Sequence, residues 1–168
     1  MAADTHKRPG GRPRTASRVA AVQALFQGEQ AEESVEVVID QFVRHRLPAT
    51  PGADPAEDYE AGRVPAAEAR LFARIVREAV RTQETIDTHL MEILPVDWPL
   101  NRLDPVLRAL LRAGGTELAM TDGPPAKVVI NEYLDVAHGF FSGEEPRLAN
   151  GVLNRLARIL RAGEFEPE

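Results

Sequence analysis

The sequence predicts an all-α fold, a bundle of about six or seven helices, and three observations carry that expectation. Apolar residues recur at helical spacing in every long segment. Most Pro and Gly fall between these segments, although Gly114, Gly115, Gly139 and Gly151 lie inside them. No run alternates apolar and polar residues for long enough to make a half-buried strand. The 168 residues suit one domain with a real core.

Residues 1–13 hold Pro9, Gly10, Gly11 and Pro13 and read as a flexible basic tail. Helical periodicity begins near Arg14, with Val19, Val22, Leu25 and Phe26 on one face. Arg14 and Arg18 are four apart, so they too share a face. Gly28 reads as the stop. A second helix fits residues 32–46, striped by Val35, Val38, Ile39, Phe42 and Val43. Residues 48–65 change character. Pro48, Pro51, Gly52, Pro55, Gly62 and Pro65 break regular structure, and Asp54, Glu57, Asp58 and Glu60 make the segment acidic. The expectation is an exposed loop.

Pro65 suits the first position of the next helix, where its missing N–H costs nothing. A helical pattern then runs from Leu71 and Phe72 through Ile75, Val76, Ile86 and Leu90 to Pro95. Asp104-Pro105 is a cap and first-turn pair for a helix carrying Leu107, Leu110, Leu111 and Leu118. Gly114-Gly115 lies inside it, where each Gly costs up to about 1 kcal/mol relative to Ala. Close approach of another backbone is the natural compensation. Asp122-Gly123-Pro124-Pro125 stops that helix, and Val128, Val129, Leu134, Ala137 and Phe140 mark the next. Ser142-Gly143 breaks the pattern, Pro146 opens the last helix, and Gly163 ends it. The domain therefore spans 14–162, between the basic tail and a short C-terminal tail, 163–168.

Most enzyme classes lose their footing here. Without Cys there is no disulfide, thiolate metal site or thiol nucleophile. His6, His45, His89 and His138 form no HExxH pattern, and Ser17, Ser34 and Ser142 no GxSxG elbow. The Gly pairs make no phosphate loop. The expectation is a non-enzyme with no catalytic residue, cofactor or metal. No apolar run approaches the ~18 residues of a membrane span, and the N-terminus lacks a secretory apolar stretch. A cytoplasmic location follows as the default. Trp98, the single Trp, sits in Pro95-Val96-Asp97-Trp98-Pro99 and reads as an anchor for that connection, with partner binding as the alternative.

Charge points elsewhere. Within the first 20 residues Lys7, Arg8, Arg12, Arg14 and Arg18 face only Asp4, a local +4. The whole chain is at −6, which leaves −10 on the remainder. Arginines on a short helix contact phosphates by charge and by paired hydrogen bonds. Few phosphates are met by so few side chains, and the acidic body repels the rest of a polyanion. Binding alone should therefore be modest. A partner holding the same strand would strengthen it.

The segment Arg14-Thr15-Ala16-Ser17-Arg18-Val19-Ala20-Ala21-Val22-Gln23-Ala24-Leu25-Phe26 resembles the N-terminal helix of the NusB family, where basic residues precede an A-x-Q-A-L-aromatic run. Lys127-Val128-Val129-Ile130-Asn131-Glu132 resembles its KV-x-INE block, and Asn150-Gly151-Val152-Leu153-Asn154 its NGVL block. The resemblance covers Arg14 to Leu160 apart from the acidic insert. It implies a helical bundle of two packed three-helix units. It also implies an antitermination factor that binds the single-stranded boxA element of nascent RNA. In that role the family acts with NusE, a ribosomal protein, in the RNA polymerase antitermination complex on ribosomal RNA operons.

Carried over residue by residue, the resemblance assigns RNA contact to Arg14 and Arg18, with Thr15 where some members have a further arginine and Arg8 and Arg12 in the tail as compensation. Glu144 falls at an acidic position near the RNA surface, and Leu148 where an aromatic is common. Arg112 and Glu117 match charged positions of an LR-x-x-x-x-EL block and are the candidate partner contacts. Two alternatives stay open: a helical module that binds protein only, and a stand-alone relative of the N-terminal domain of ribosomal RNA cytosine methyltransferases. The second is disfavoured because the chain has no Cys and ends at Glu168. Monomer and homodimer also both stay open.

Overall fold

The computed structural model describes residues 13–48, 51, 52, 54–61, 63–65 and 67–165. The basic tail, Arg12 included, and residues 166–168 lie outside the described residues. Eight α-helices and no strand occur among the described residues. α1 (Pro13–Ala31) is lined by small side chains, and Ala16, Val19, Ala20, Ala21, Val22 and Ala24 are all buried. A helix covered on most sides needs no narrow apolar stripe, because little of it meets water. α1 runs on past Gly28 to Ala31, and its last three residues are exposed.

α2 (Val35–Gln41) starts at Ser34, whose hydroxyl accepts from the Val37 N–H at 3.4 Å. It passes into a π-helical turn, Phe42–Arg46. Phe42 stacks on Phe72 with ring centroids 5.4 Å apart, and the Arg46 guanidinium lies over the Phe42 ring, 5.0 Å from its centroid. The acidic segment differs from the expected loop. It holds a short helix, α3 (Pro55–Glu60), opened by Asp54, whose carboxylate accepts from the Ala56 N–H at 2.9 Å. Asp58 and Val64 are buried, and the Val64 N–H donates to the Arg46 carbonyl at 2.7 Å. The segment is thus stitched to the bundle.

α4 (Ala69–Arg81) begins four residues after Pro65, and α5 (Gln83–Ile93) follows a break at Thr82, so one predicted pattern is two helices. α6 (Pro105–Ala119) is capped as expected: the Asp104 carboxylate accepts from Val106 N–H at 2.8 Å and Leu107 N–H at 3.3 Å. α7 (Ala126–Phe140) and α8 (Glu145–Leu160) complete the bundle. α1, α2 and α4 pack on one another, as do α6, α7 and α8, and α5 lies against α6 and α8. α1 joins the two units by packing on both α6 and α7.

Gly114 and Gly115 explain how α6 sits so close to its neighbours. A Cβ on Gly114 would stand 2.9 Å from Leu153 Cδ2, and one on Gly115 2.9 Å from Leu156 Cδ2 and 3.0 Å from Ile86 Cγ2. The space that a side chain would take is filled by α8 and α5. Arg161 closes the other end of α6. Its guanidinium donates to the carbonyls of Glu117, Leu118, Met120 and Pro124 at 2.7–3.0 Å. Helix ends leave such carbonyls without intrahelical partners.

Candidate nucleic-acid interface

The first arginines of α1 have opposite fates. Arg14 is exposed. Arg18 is only 2% exposed, one turn on, because that face of α1 packs against α6 and α7. Its guanidinium donates to both carboxylate oxygens of Glu117, at 2.7 and 2.9 Å, and reaches Glu132 at 3.4 Å. Thr15 is buried beside it and donates its hydroxyl to the same Glu132 oxygen at 2.7 Å. Burial pulls the Arg18 guanidinium down, but the Glu117 hydrogen bond and charge outweigh it and hold the cation firmly protonated. The neighbouring Tyr133 phenol is pushed well above its usual range, by burial first and by the Glu117 charge second.

Sharing a helical spacing does not put Arg14 and Arg18 on one open surface. Arg18 and Thr15, read from the resemblance as RNA contacts, lie in an interior ion cluster. Glu117, read as a partner contact, is their counter-charge and is 3% exposed. The expectation of surface roles for these three is corrected by their burial. A phosphate would have to displace a carboxylate that already makes two charged hydrogen bonds.

Arg112 sits in a second network. It donates to both Asp87 oxygens at 2.9 Å and to Glu29 at 2.9 Å, and Glu29 also pairs with Arg108. Arg108 and Arg112 line a groove of about 730 Å³ together with Met91, Leu94, Val96 and Leu100. Met91 and Val96 are exposed large apolar side chains there.

Glu144 and Leu148 come together at the start of α8, in a separate groove of about 380 Å³. Its other walls include Trp98, Arg147, Gly151 and Arg155. Glu144 and Arg147 are exposed, and Leu148 is half-buried. The sequence reading missed Arg147, Arg155 and the placement of Trp98. The two arginines lie four and twelve residues after Gly143, in the first turn and in the second half of the last helix, and the basic residues along that helix are the signal that points to them. Trp98 is in another segment, and nothing local links it to α8.

The polar members of the INE and NGVL blocks, Asn131 and Asn150, are exposed, while Ile130, Val152 and Leu153 are buried. Among the described residues no group of His, Asp and Glu is arranged to hold a metal ion. No helix among them is long and apolar enough to cross a membrane.

Comparison with known proteins shows the family and the fold. The model of the NusB family matches residues 15–158. A transcription antitermination protein NusB of Granulibacter bethesdensis is 69% identical over 94% of each chain. The protein of that name from Gluconobacter oxydans is 52% identical over 92% of each. Among solved structures, NusB of T. maritima superposes with a TM-score of 0.65 at 25% identity, covering 90% of this chain and 95% of that one. A chain from a complex of the antitermination factors NusB and NusE with double-stranded RNA shares the fold, with a TM-score of 0.63 at 22% identity over 86% of this chain and 95% of that one.

Proposed function

The chain belongs to the NusB family, and from that premise we propose that it is a non-enzymatic, RNA-binding transcription antitermination factor. It binds boxA-type single-stranded RNA together with NusE and joins the RNA polymerase antitermination complex, keeping transcription of ribosomal RNA operons processive. It works in the cytoplasm, where that RNA is made. The observation that carries this reading is the near full-length identity to proteins named for antitermination. The geometry supports it with an exposed Arg14 at the start of α1, and in the sequence Arg14 follows Lys7, Arg8 and Arg12.

The interior cluster gives the buried residues a different role from direct contact. Arg18 and Thr15 tie α1 to α6 and α7, and so fix the point from which Arg14 and Arg12 reach phosphates. Glu144 and Leu148 belong to the RNA surface at α8. Of the two charged residues carried over for a protein partner, only Arg112 reaches an open groove, and it keeps that role.

The test is a titration of labelled boxA-like RNA, with and without NusE, by fluorescence anisotropy at two salt concentrations. Weak binding alone that NusE strengthens is the expected result. A stable complex with NusE and no RNA binding in either condition would leave a protein-only module.

A further inference from the structure

We propose that the groove beside α8 seats one unpaired nucleobase against Trp98, with Arg147 and Arg155 meeting the flanking phosphates. The proposal rests on the RNA-binding reading and adds to it a base platform supplied by the connection before α6.

Trp98 is the only Trp in the chain. Prolines stand at 95 and 99, and the Trp98 backbone N–H donates to the Pro95 carbonyl at 2.9 Å, so a closed turn holds the residue. Part of the side chain packs on the core, and the rest lines the groove. An anchor role accounts for the packed part only. Among the described residues the indole ring makes no aromatic or cation contact, and its N–H has no acceptor.

The rest of the lining has the chemistry of a single-strand site. Leu148 offers an apolar contact, and Gly151 lines the groove without a side chain. Arg147 and Arg155 are exposed and form no ion pair among the described residues. Arg155 has one weak contact, to the Ile93 carbonyl at 3.5 Å. An aromatic platform in a cationic groove suits successive unstacked bases, because every base has a face to stack. Glu144 repels phosphate, so the backbone runs on the arginine side. Its carboxylate is left to accept from a base amino group. A duplex hides its base faces and does not fit.

Because Trp98 is the sole tryptophan, its emission reports this groove directly. The experiment titrates the full chain, with NusE present, with a boxA-like single strand and with the same strand annealed to its complement. Anisotropy of the labelled RNA is read in parallel. The expected result is saturable quenching by the single strand at the anisotropy midpoint, and none by the duplex. Trp98→Ala should weaken single-strand binding about tenfold, and Trp98→Phe should stay within about threefold of the unaltered chain. If Trp98→Ala fails to fold, the quenching of the unaltered chain still decides. RNA binding with unchanged emission overturns the platform and leaves the RNA-binding reading standing. Quenching by NusE alone, unaltered by RNA, makes the groove a protein surface and also overturns it. No RNA binding by either readout removes both.

Discussion

Arg18 and Glu117, 99 residues apart in sequence, meet inside the protein as an ion pair with two hydrogen bonds, at 2.7 and 2.9 Å. The pair pins the first helix to the sixth. Its burial makes it sensitive to losing one partner, because the survivor is a charge without water. Arg18→Met or Glu117→Leu alone should destabilise the fold by about 3–5 kcal/mol in urea denaturation. The double variant should recover much of that loss, since a well-packed apolar pair often replaces a buried ion pair without penalty. A double variant as unstable as the sum of the singles would show that the two residues act independently.

The glycines of α6 make a second prediction, with a sign that helix propensity alone gets wrong. Gly→Ala inside a helix normally gains about 1 kcal/mol. At Gly115 the new methyl meets Leu156 and the β-branched Ile86 from two different helices, and both are fully buried. Overpacking of that kind costs about 1–3 kcal/mol, so Gly115→Ala should be net destabilising. Gly114→Ala crowds chiefly the end of Leu153, with Tyr133 Cγ next at 3.4 Å, and should cost less. Thermal melts of the two variants check the order. A more stable Gly115→Ala would mean that α5 or α8 moves away freely.

How much of this was legible in the sequence differs from residue to residue. Gly114-Gly115 announces close packing, but not that α8 and α5 supply it. The cap at Asp104 is readable because the Asp-Pro pair acts on its own neighbours. Asp54-Pro55 carries the same pair and opens α3, yet five other breakers around it hide a helix of only six residues. Arg14 and Arg18 show the limit most clearly. Spacing says that they share a face of α1, but exposure depends on what covers that face, and the covering residue is Glu117. Trp98 and Leu148 share a groove only because two distant segments pack side by side. Periodicity carries no information about that contact.

Acid should loosen four ion pairs and caps at the surface. Arg77 holds the Glu36 carboxyl below its ordinary 4.5, Arg81 does so for Glu78, and Arg74 holds Asp122 below 3.8. The Ala126 N–H, then Arg161, lowers Glu164 below 4.5. A carboxyl lowered in the folded state stabilises the fold fully above its ordinary value. That contribution is lost as pH falls through the lowered one. Stability in urea should therefore be level from neutrality down to the ordinary carboxylate range and decline below it. Carbon-detected NMR titration of Glu164 should give a midpoint under 4.5, and Glu164→Gln should make the decline shallower. A midpoint at or above the ordinary value would rule out the N–H contact at the start of α7.

Arg14 and Arg18 should separate cleanly in RNA binding, although they look equivalent in sequence. Arg14 is exposed, so Arg14→Ala should leave stability within about 0.5 kcal/mol of the unaltered chain. If it neutralises one phosphate of a single strand, its loss removes about 0.7 from the slope of log affinity against log salt. Arg18 makes its hydrogen bonds to protein carboxylates, so its replacement acts through the position of α1. In the Arg18→Met, Glu117→Leu double variant, which keeps the helix packed, the salt slope should remain that of the unaltered chain. Anisotropy titrations of boxA-like RNA with NusE at several salt concentrations measure both slopes. An unchanged slope in Arg14→Ala would take Arg14 off the phosphates. A reduced slope in the double variant would mean that Arg18 leaves Glu117 to bind RNA, and the interior pair would then be a latch that RNA opens.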